Sequence, residues 1–335
     1  MRFLSLVLVT LSLVTACSRK PEYITTLELA RSNTDHAESK RLAILALQQA
    51  DSAGAVCNMQ YDYIIDLIIQ NPNFSLVERE AALKHSVDVL RRDKKCLDHD
   101  KVLFRRVQQL GDFYYSQKQF DKAEKPLAEA LELGIKLRGA DDKELAGIRD
   151  DSGPNTPISY PSSHYAALAN AYEQQGKYLI AEPLRRRDLA LHEKYFGQLG
   201  DQGTFGEQGG VREQIRALAK NLTFQNKYEE AERLYLRSIE VAKHEVGTRI
   251  KESLSRFCSN EHAGLAEIYR RQGNTKKAEE NFEKAMLGFD RYGNAPALTE
   301  MRLNYAQLLK DSGRGERAKA MEEAVAREKE FSERR

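Results

Sequence analysis

The chain has 335 residues, with 52 Lys and Arg against 50 Asp and Glu, a formal charge of +2, and no tryptophan. Mean hydropathy is −0.60, and the composition favours soluble helices, with room for two domains or one elongated array. Non-specific nucleic-acid binding draws on a surplus of cations that release phosphate counterions, and so even a balance excludes it for the chain as a whole.

The N-terminus reads "MRFLSLVLVTLSLVTACSRK": Arg2, then an apolar stretch from Phe3 to Val14. That stretch is too short to cross a hydrocarbon core of roughly 30 Å as a helix, but it suits the apolar region of a signal peptide. It ends in Val14-Thr15-Ala16-Cys17, which resembles a bacterial lipobox. The resemblance implies cleavage after Ala16, diacylglycerol on the Cys17 sulfur and acylation of the new N-terminus. Two or three acyl chains give stable anchoring where one is marginal. Ser18 after the cysteine implies, by the same resemblance, sorting to the outer membrane. The alternative is an ordinary secretory signal with a chance cysteine.

Cys57, Cys96 and Cys258 follow, an odd number, so at least one thiol stays unpaired in an oxidising compartment. Residues 23–100 are helical in pattern. Asp35 followed by Glu38 predicts a capping box, and the helices 57–70 and 75–93 are joined by the turn "NPNF". An antiparallel pair of that kind places Cys57 near Cys96. A bridge there closes a loop of about 40 residues, worth roughly 4 kcal/mol by chain entropy; two buried free thiols are the other reading.

From residue 110 a pattern recurs. "LGDFYYSQKQFDKAEKPLAEAL" sets Gly111, Tyr114 and Ala123 at relative positions 0, 3 and 12. The same spacing holds for Ala169, Tyr172, Ala181; Ala219, Leu222, Ala231; Ala266, Tyr269, Ala278; and Ala306, Leu309, Ala318. Each copy predicts helix, tight turn, helix. The small residues let two helices cross closely and the larger one packs into the crossing. Such a unit buries its apolar faces only by stacking on neighbours.

These copies resemble the tetratricopeptide repeat family. "LANAYEQQGKYLIAEPL", with "LRGADDKELA" (137–146) and "LHEKYFG" (191–197) as repeat ends, is similar to the longer variant of kinesin light chains. The fold class this implies is all-α, an α-solenoid of helix-turn-helix repeats. Residues 1–16 are then a lipoprotein signal peptide, 17–25 an acylated linker, 26–100 a helical capping region, and 101–335 about five repeats ending in a polar capping helix. The second alanines fall 58, 50, 47 and 40 residues apart, so insertions separate the units.

The second unit departs from the pattern. Where Tyr235 with Ser238, and Phe282 with Ala285, supply packing side chains, it has Arg185 and Asp188. These are one turn apart and positioned to pair with each other, and a loosened joint over 178–200 is the expectation. Pro183 and Pro126 fall early in their helices, where they remove one or two backbone bonds. The insertion 150–164 holds three prolines and reads as a loop. The glycine-rich 197–210 lacks every feature of a nucleotide loop and reads as a connector or as a loop closing over a partner.

No catalytic constellation emerges: there is no His-Glu-x-x-His helix and no Gly-x-Ser-x-Gly elbow. Cys96, Asp98, His99 and Asp100 have ligand-like spacing, but without ligands from a second segment they predict no metal site. No cofactor is expected, and the protein reads as a non-enzyme. The resemblance implies a groove lined by the first helix of each unit, with Asn170, Glu173, Arg216, Lys220, Glu267, Arg270 and Arg271 as partner-binding positions. Arg and Lys there suit a carboxylate-bearing peptide through charge-assisted bonds. The functional expectation is an acylated scaffold or assembly factor of the bacterial envelope, facing the periplasm. The alternative is an accessory module to an envelope enzyme, binding a small molecule or glycan through the aromatics Tyr115 and Phe224.

Overall fold

A computed structural model describes residues 20–55, 59–93, 98–140, 145, 164–196, 211–246, 258–291 and 295–333. Cys17, Cys57, Cys96 and most of both insertions lie outside the described residues, so the lipidation, the bridge and the loop expectations concern positions the structure does not describe. All regular elements among the described residues are helices, and the chain divides into two compact units between Leu137 and Arg138.

The first unit holds α1 (Glu22–Ser32), α2 (His36–Ser52), α3 (Met59–Gln70), α4 (Leu76–Arg92), α5 (His99–Ser116) and α6 (Phe120–Arg138), which ends at the division. The first repeat, α5 with α6, therefore falls on the same side of the division as the N-terminal helices. On α3 the apolar stripe Tyr61, Ile64, Ile65 and Ile68 is buried, the spacing of one helical face.

The capping box expected at Asp35 forms only by half. Asp35 accepts from the amides of Ala37 and Glu38, at 2.9 and 3.4 Å. The Glu38 carboxylate does not reach back, because Arg41 holds it through two bonds of 2.7 and 2.6 Å. The amide of Asp35 donates instead to Asn33 Oδ1. A complete box stands at the start of α4, where Ser75 and Glu78 satisfy each other's backbone N–H.

The second unit holds four helix pairs: α7 (His164–Gln174) with α8 (Tyr178–Phe196), α9 (Val211–Phe224) with α10 (Tyr228–Val246), α11 (Ser259–Arg271) with α12 (Thr275–Arg291), and α13 (Ala295–Asp311) with α14 (Gly315–Glu333). The recurring small positions explain the pairing. Ala169, Ala181, Ala219, Ala231, Ala266, Ala278, Ala306 and Ala318 are all buried at the crossings. In the first repeat a Cβ on Gly111 would sit 2.6 Å from Leu127 Cδ2, so any larger residue there displaces the Leu127 side chain. Tyr114, Leu222, Tyr269 and Leu309 are buried as the pattern predicts, whereas Tyr172 is only half-buried.

Both helix prolines are tolerated for one reason. Pro183 denies a bond to the carbonyl of Leu179, and Pro126 denies one to that of Lys122; both residues are exposed, so water can satisfy those oxygens. Gly176, Gly273 and Gly313 take positive φ at the turns within their pairs.

Candidate functional site

Three first helices of the second unit's pairs, α7, α9 and α11, carry the expected partner-binding positions, and the structure treats those positions unequally. Asn170 and Glu173 on α7 are already occupied. Arg185 reaches across from α8 and grips Glu173 with Nε to Oε1 at 3.0 Å and Nη2 to Oε2 at 2.6 Å. The same guanidinium donates to Asn170 Oδ1. From α9 the fully buried Asn221 donates to Glu173 Oε1 at 2.8 Å and to the Tyr178 carbonyl at 3.1 Å. Arg185 therefore does not pair with Asp188, and α8 meets α9 through a bonded polar cluster.

Asp188 is fully buried on its own account. His192 Nδ1 donates to the Asp188 carbonyl at 2.9 Å and lies 3.6 Å from its carboxylate. In the next pair the equivalent positions pack as expected. The Tyr235 ring lies where a Cβ on Gly264 would stand 2.1 Å from Cζ, and Ser238 donates to Glu261 at 2.7 Å.

Glu261 is the centre of a second buried cluster, joining α9, α10 and α11. Arg212 donates to it at 2.7 and 3.3 Å, and Arg216 stands 3.5 Å away. Burial alone would push the Glu261 carboxyl up, but the Arg212 bonds and charge, with Arg216 and Ser238, outweigh it and hold it below the usual carboxylate range. Arg216 also bonds Glu213 on its own helix. Arg216 is thus largely a structural cation, with its side chain 21% exposed.

Arg270 and Arg271 converge on Glu267, the first through bonds of 2.8 Å and the second at 2.6 Å. Arg271 also lies 4.9 Å over the Phe224 ring, which stacks on Tyr178 at 4.8 Å and 4°. The contacts of Phe224 with Arg271 and Tyr178 tie three helix pairs together. Tyr115 meets Phe120 edge-on at 5.3 Å.

Lys220 stands apart. It is exposed on α9 and makes no ion pair among the described residues.

The acid-rich stretch around His99 is spoken for. His99 Nε2 donates to the Leu90 carbonyl at 2.7 Å and Nδ1 faces Asp100 at 3.1 Å; Lys101 takes Asp98 and Lys136 takes Asp100. Among the described residues no group of three or more His, Cys, Asp or Glu side chains could hold a metal ion.

Sequence reasoning missed Asn221, Glu261 and the role of Arg185. One signal was present: Asn221 sits between Leu218 and Leu222 on the apolar stripe of α9, where an unexplained polar residue implies a buried partner.

A tetratricopeptide-repeat family model matches residues 108–142 and 214–250, and a second such model matches 262–287. No curated protein matches the chain. Among solved structures, BtubC (BKLC) from P. vanneervenii is 19% identical with a TM-score of 0.53, over 77% of this chain and 92% of that one. That likeness concerns the fold. A single-residue variant of a kinesin light chain with nearly identical TPR-like repeats, from Podosopora anserina, is 17% identical with a TM-score of 0.48, over 69% of this chain and 97% of that one.

Proposed function

We propose that this chain, which carries tetratricopeptide repeats, is a lipid-anchored scaffold or assembly factor of the bacterial envelope that binds a protein partner on the first-helix face of α9 and α11. The anchor rests on Val14-Thr15-Ala16-Cys17 after an apolar run. No described helix is long and apolar enough to cross a membrane.

The observation that carries the binding face is the contrast between Lys220 and its neighbours. Asn170 and Glu173 are spent on Arg185, and Arg216 on Glu261 and Glu213. Lys220 is an exposed cation with no ion pair among the described residues, and Arg270 and Arg271 come next along the array, each about a third exposed. A carboxylate-bearing segment gains a charge-assisted bond at Lys220 without breaking an ion pair, and at Arg270 and Arg271 it shares guanidinium groups already bonded to Glu267.

A photo-crosslinking side chain placed at Lys220 in intact cells tests the reading, with the same side chain at the exposed Lys319 of α14 as the control. A discrete product at 220, lost when Arg270 is reversed to Glu, supports a partner on this face. Identical products at both positions would remove the groove from the account.

A further inference from the structure

The charged side chains on the first-helix face of α9 and α11 form a graded series. On α9, Arg216 is held by Glu213 and by the buried Glu261, whereas Lys220, one turn on, makes no ion pair among the described residues. On α11 one carboxylate holds two arginines. Arg270 grips Glu267 with Nε to Oε2 and Nη2 to Oε1, both at 2.8 Å, and Arg271 Nε adds a bond of 2.6 Å to the same Oε1. A glutamate one turn before an arginine on the same helix is the favourable order, so this cluster forms without help from another element.

The three side chains are partly sunk in the face, with Glu267 25% exposed. Burial alone would raise its carboxyl, but the bonds and charges of Arg270 and Arg271 outweigh it and hold it below the ordinary value. Glu267 is therefore an anion at neutral pH. Arg271 is steadied from the side by the Phe224 ring of α9.

A partner carboxylate approaching this face meets cations whose best-aligned N–H groups already point at Glu267. The Nε–Nη2 edge of Arg270 is the one a carboxylate fits with two bonds, and taking it means turning Glu267 aside. The displaced glutamate stays tethered to α11 and stands beside a second anion. A segment with only acidic side chains meets that repulsion in full. A segment with a cation next to its carboxylate relieves it, because the cation takes Glu267 while the carboxylate takes the arginines or Lys220.

We propose that this face selects a mixed-charge segment, and that Glu267 is the residue that rejects a purely acidic one. The inference rests on the partner-binding reading above and narrows it from a carboxylate to a carboxylate with an adjacent cation. Selection then comes from an unfavourable charge contact built in against the wrong partner.

The test uses fluorescein-labelled hexaglutamate, a labelled peptide of alternating glutamate and lysine of the same length, and hexaglutamine as the blank. Each is titrated with the full-length protein in neutral detergent at about 0.15 M salt, where exposed charges beyond about 8 Å are screened. Wild type is expected to bind the alternating peptide at least as tightly as hexaglutamate. Glu267→Gln should move the ratio of the two affinities about two- to fivefold towards hexaglutamate, with unchanged helical content. Glu323→Gln, at an exposed position on α14, should leave the ratio in place. A wild-type preference for hexaglutamate, a ratio untouched by Glu267→Gln, or an equal shift from Glu323→Gln overturns the selection while the binding face stands. If neither probe is bound above the blank by either protein, the cationic face is overturned and the selection with it.

Discussion

Arg185 and Glu173 form a two-pronged ion pair across the second repeat, closed over by Asn221 of the third, with the arginine side chain 5% exposed and the glutamate 14%. The first helix of that repeat thus spends its polar groove positions on its own second helix.

Removing one partner of such a pair leaves a buried charge uncompensated. Arg185→Ala is expected to cost about 3–5 kcal/mol, read from urea unfolding. Arg185→Met combined with Glu173→Leu should recover much of that loss, because two apolar side chains of similar volume replace the pair without an orphaned charge. A single variant that unfolds at the wild-type midpoint would show the pair to be energetically idle.

The repeat frame was legible in the sequence because it rests on size. Positions that must be small at a helix crossing show up as Gly111, Ala169, Ala219 and their counterparts at fixed spacing, and the structure buries them there. The fate of Arg185 was not legible from spacing along one helix, which favoured Asp188 one turn away. Its partners lie 12 and 15 residues back, on the opposite helix of the hairpin. A long flexible cation selects among acceptors by three-dimensional reach, and the nearest in sequence lost. Likewise the Asp35–Glu38 spacing matched a capping box, but the competing Arg41 one turn on captured the glutamate.

Two glycines test close packing in opposite contexts. Gly→Ala in a helix interior gains up to about 1 kcal/mol in propensity. At Gly264 the new Cβ would overlap the Tyr235 ring, 2.1 Å from Cζ, and a ring wedged between repeats has little room to withdraw. At Gly111 the clash is with the Leu127 side chain, 2.6 Å from Cδ2 and 2.7 Å from Cγ, which a rotamer change relieves in part while the backbone N at 3.2 Å stays. Gly264→Ala should therefore lower stability by about 1–3 kcal/mol, and Gly111→Ala by less. Thermal unfolding of the two variants gives the order; a reversed order would refute the argument from side-chain stiffness.

The two helix starts in the first unit predict unequal caps. Ser75 completes a reciprocal box with Glu78, and the carboxyl of Glu78 is drawn down to about 2, chiefly by Lys40 and then by the Ser75 backbone and hydroxyl. Asp35 satisfies two amides without reciprocity. Ser75→Ala should cost about 1–2 kcal/mol, and Asp35→Ala about 0.5–1 kcal/mol. Amide exchange in the first turns of α4 and α2 locates each loss.

His164, at the start of α7, gives the fold a dependence on acid. Burial first, and then the charge of Arg138, push its imidazole down to about 4 from an ordinary value of 6.5. Between those two values the unfolded chain binds a proton at this ring and the folded chain does not. Stability is therefore full above about pH 6.5 and falls as pH drops towards 4, by roughly 3 kcal/mol at most for this group. His164→Gln should flatten that part of the profile of urea midpoint against pH while leaving the loss below pH 4, where paired carboxylates such as Glu78 and Glu182 take up protons. If wild type and variant decline in parallel from pH 6.5 to 4, the dependence belongs to other groups and His164 is a bystander.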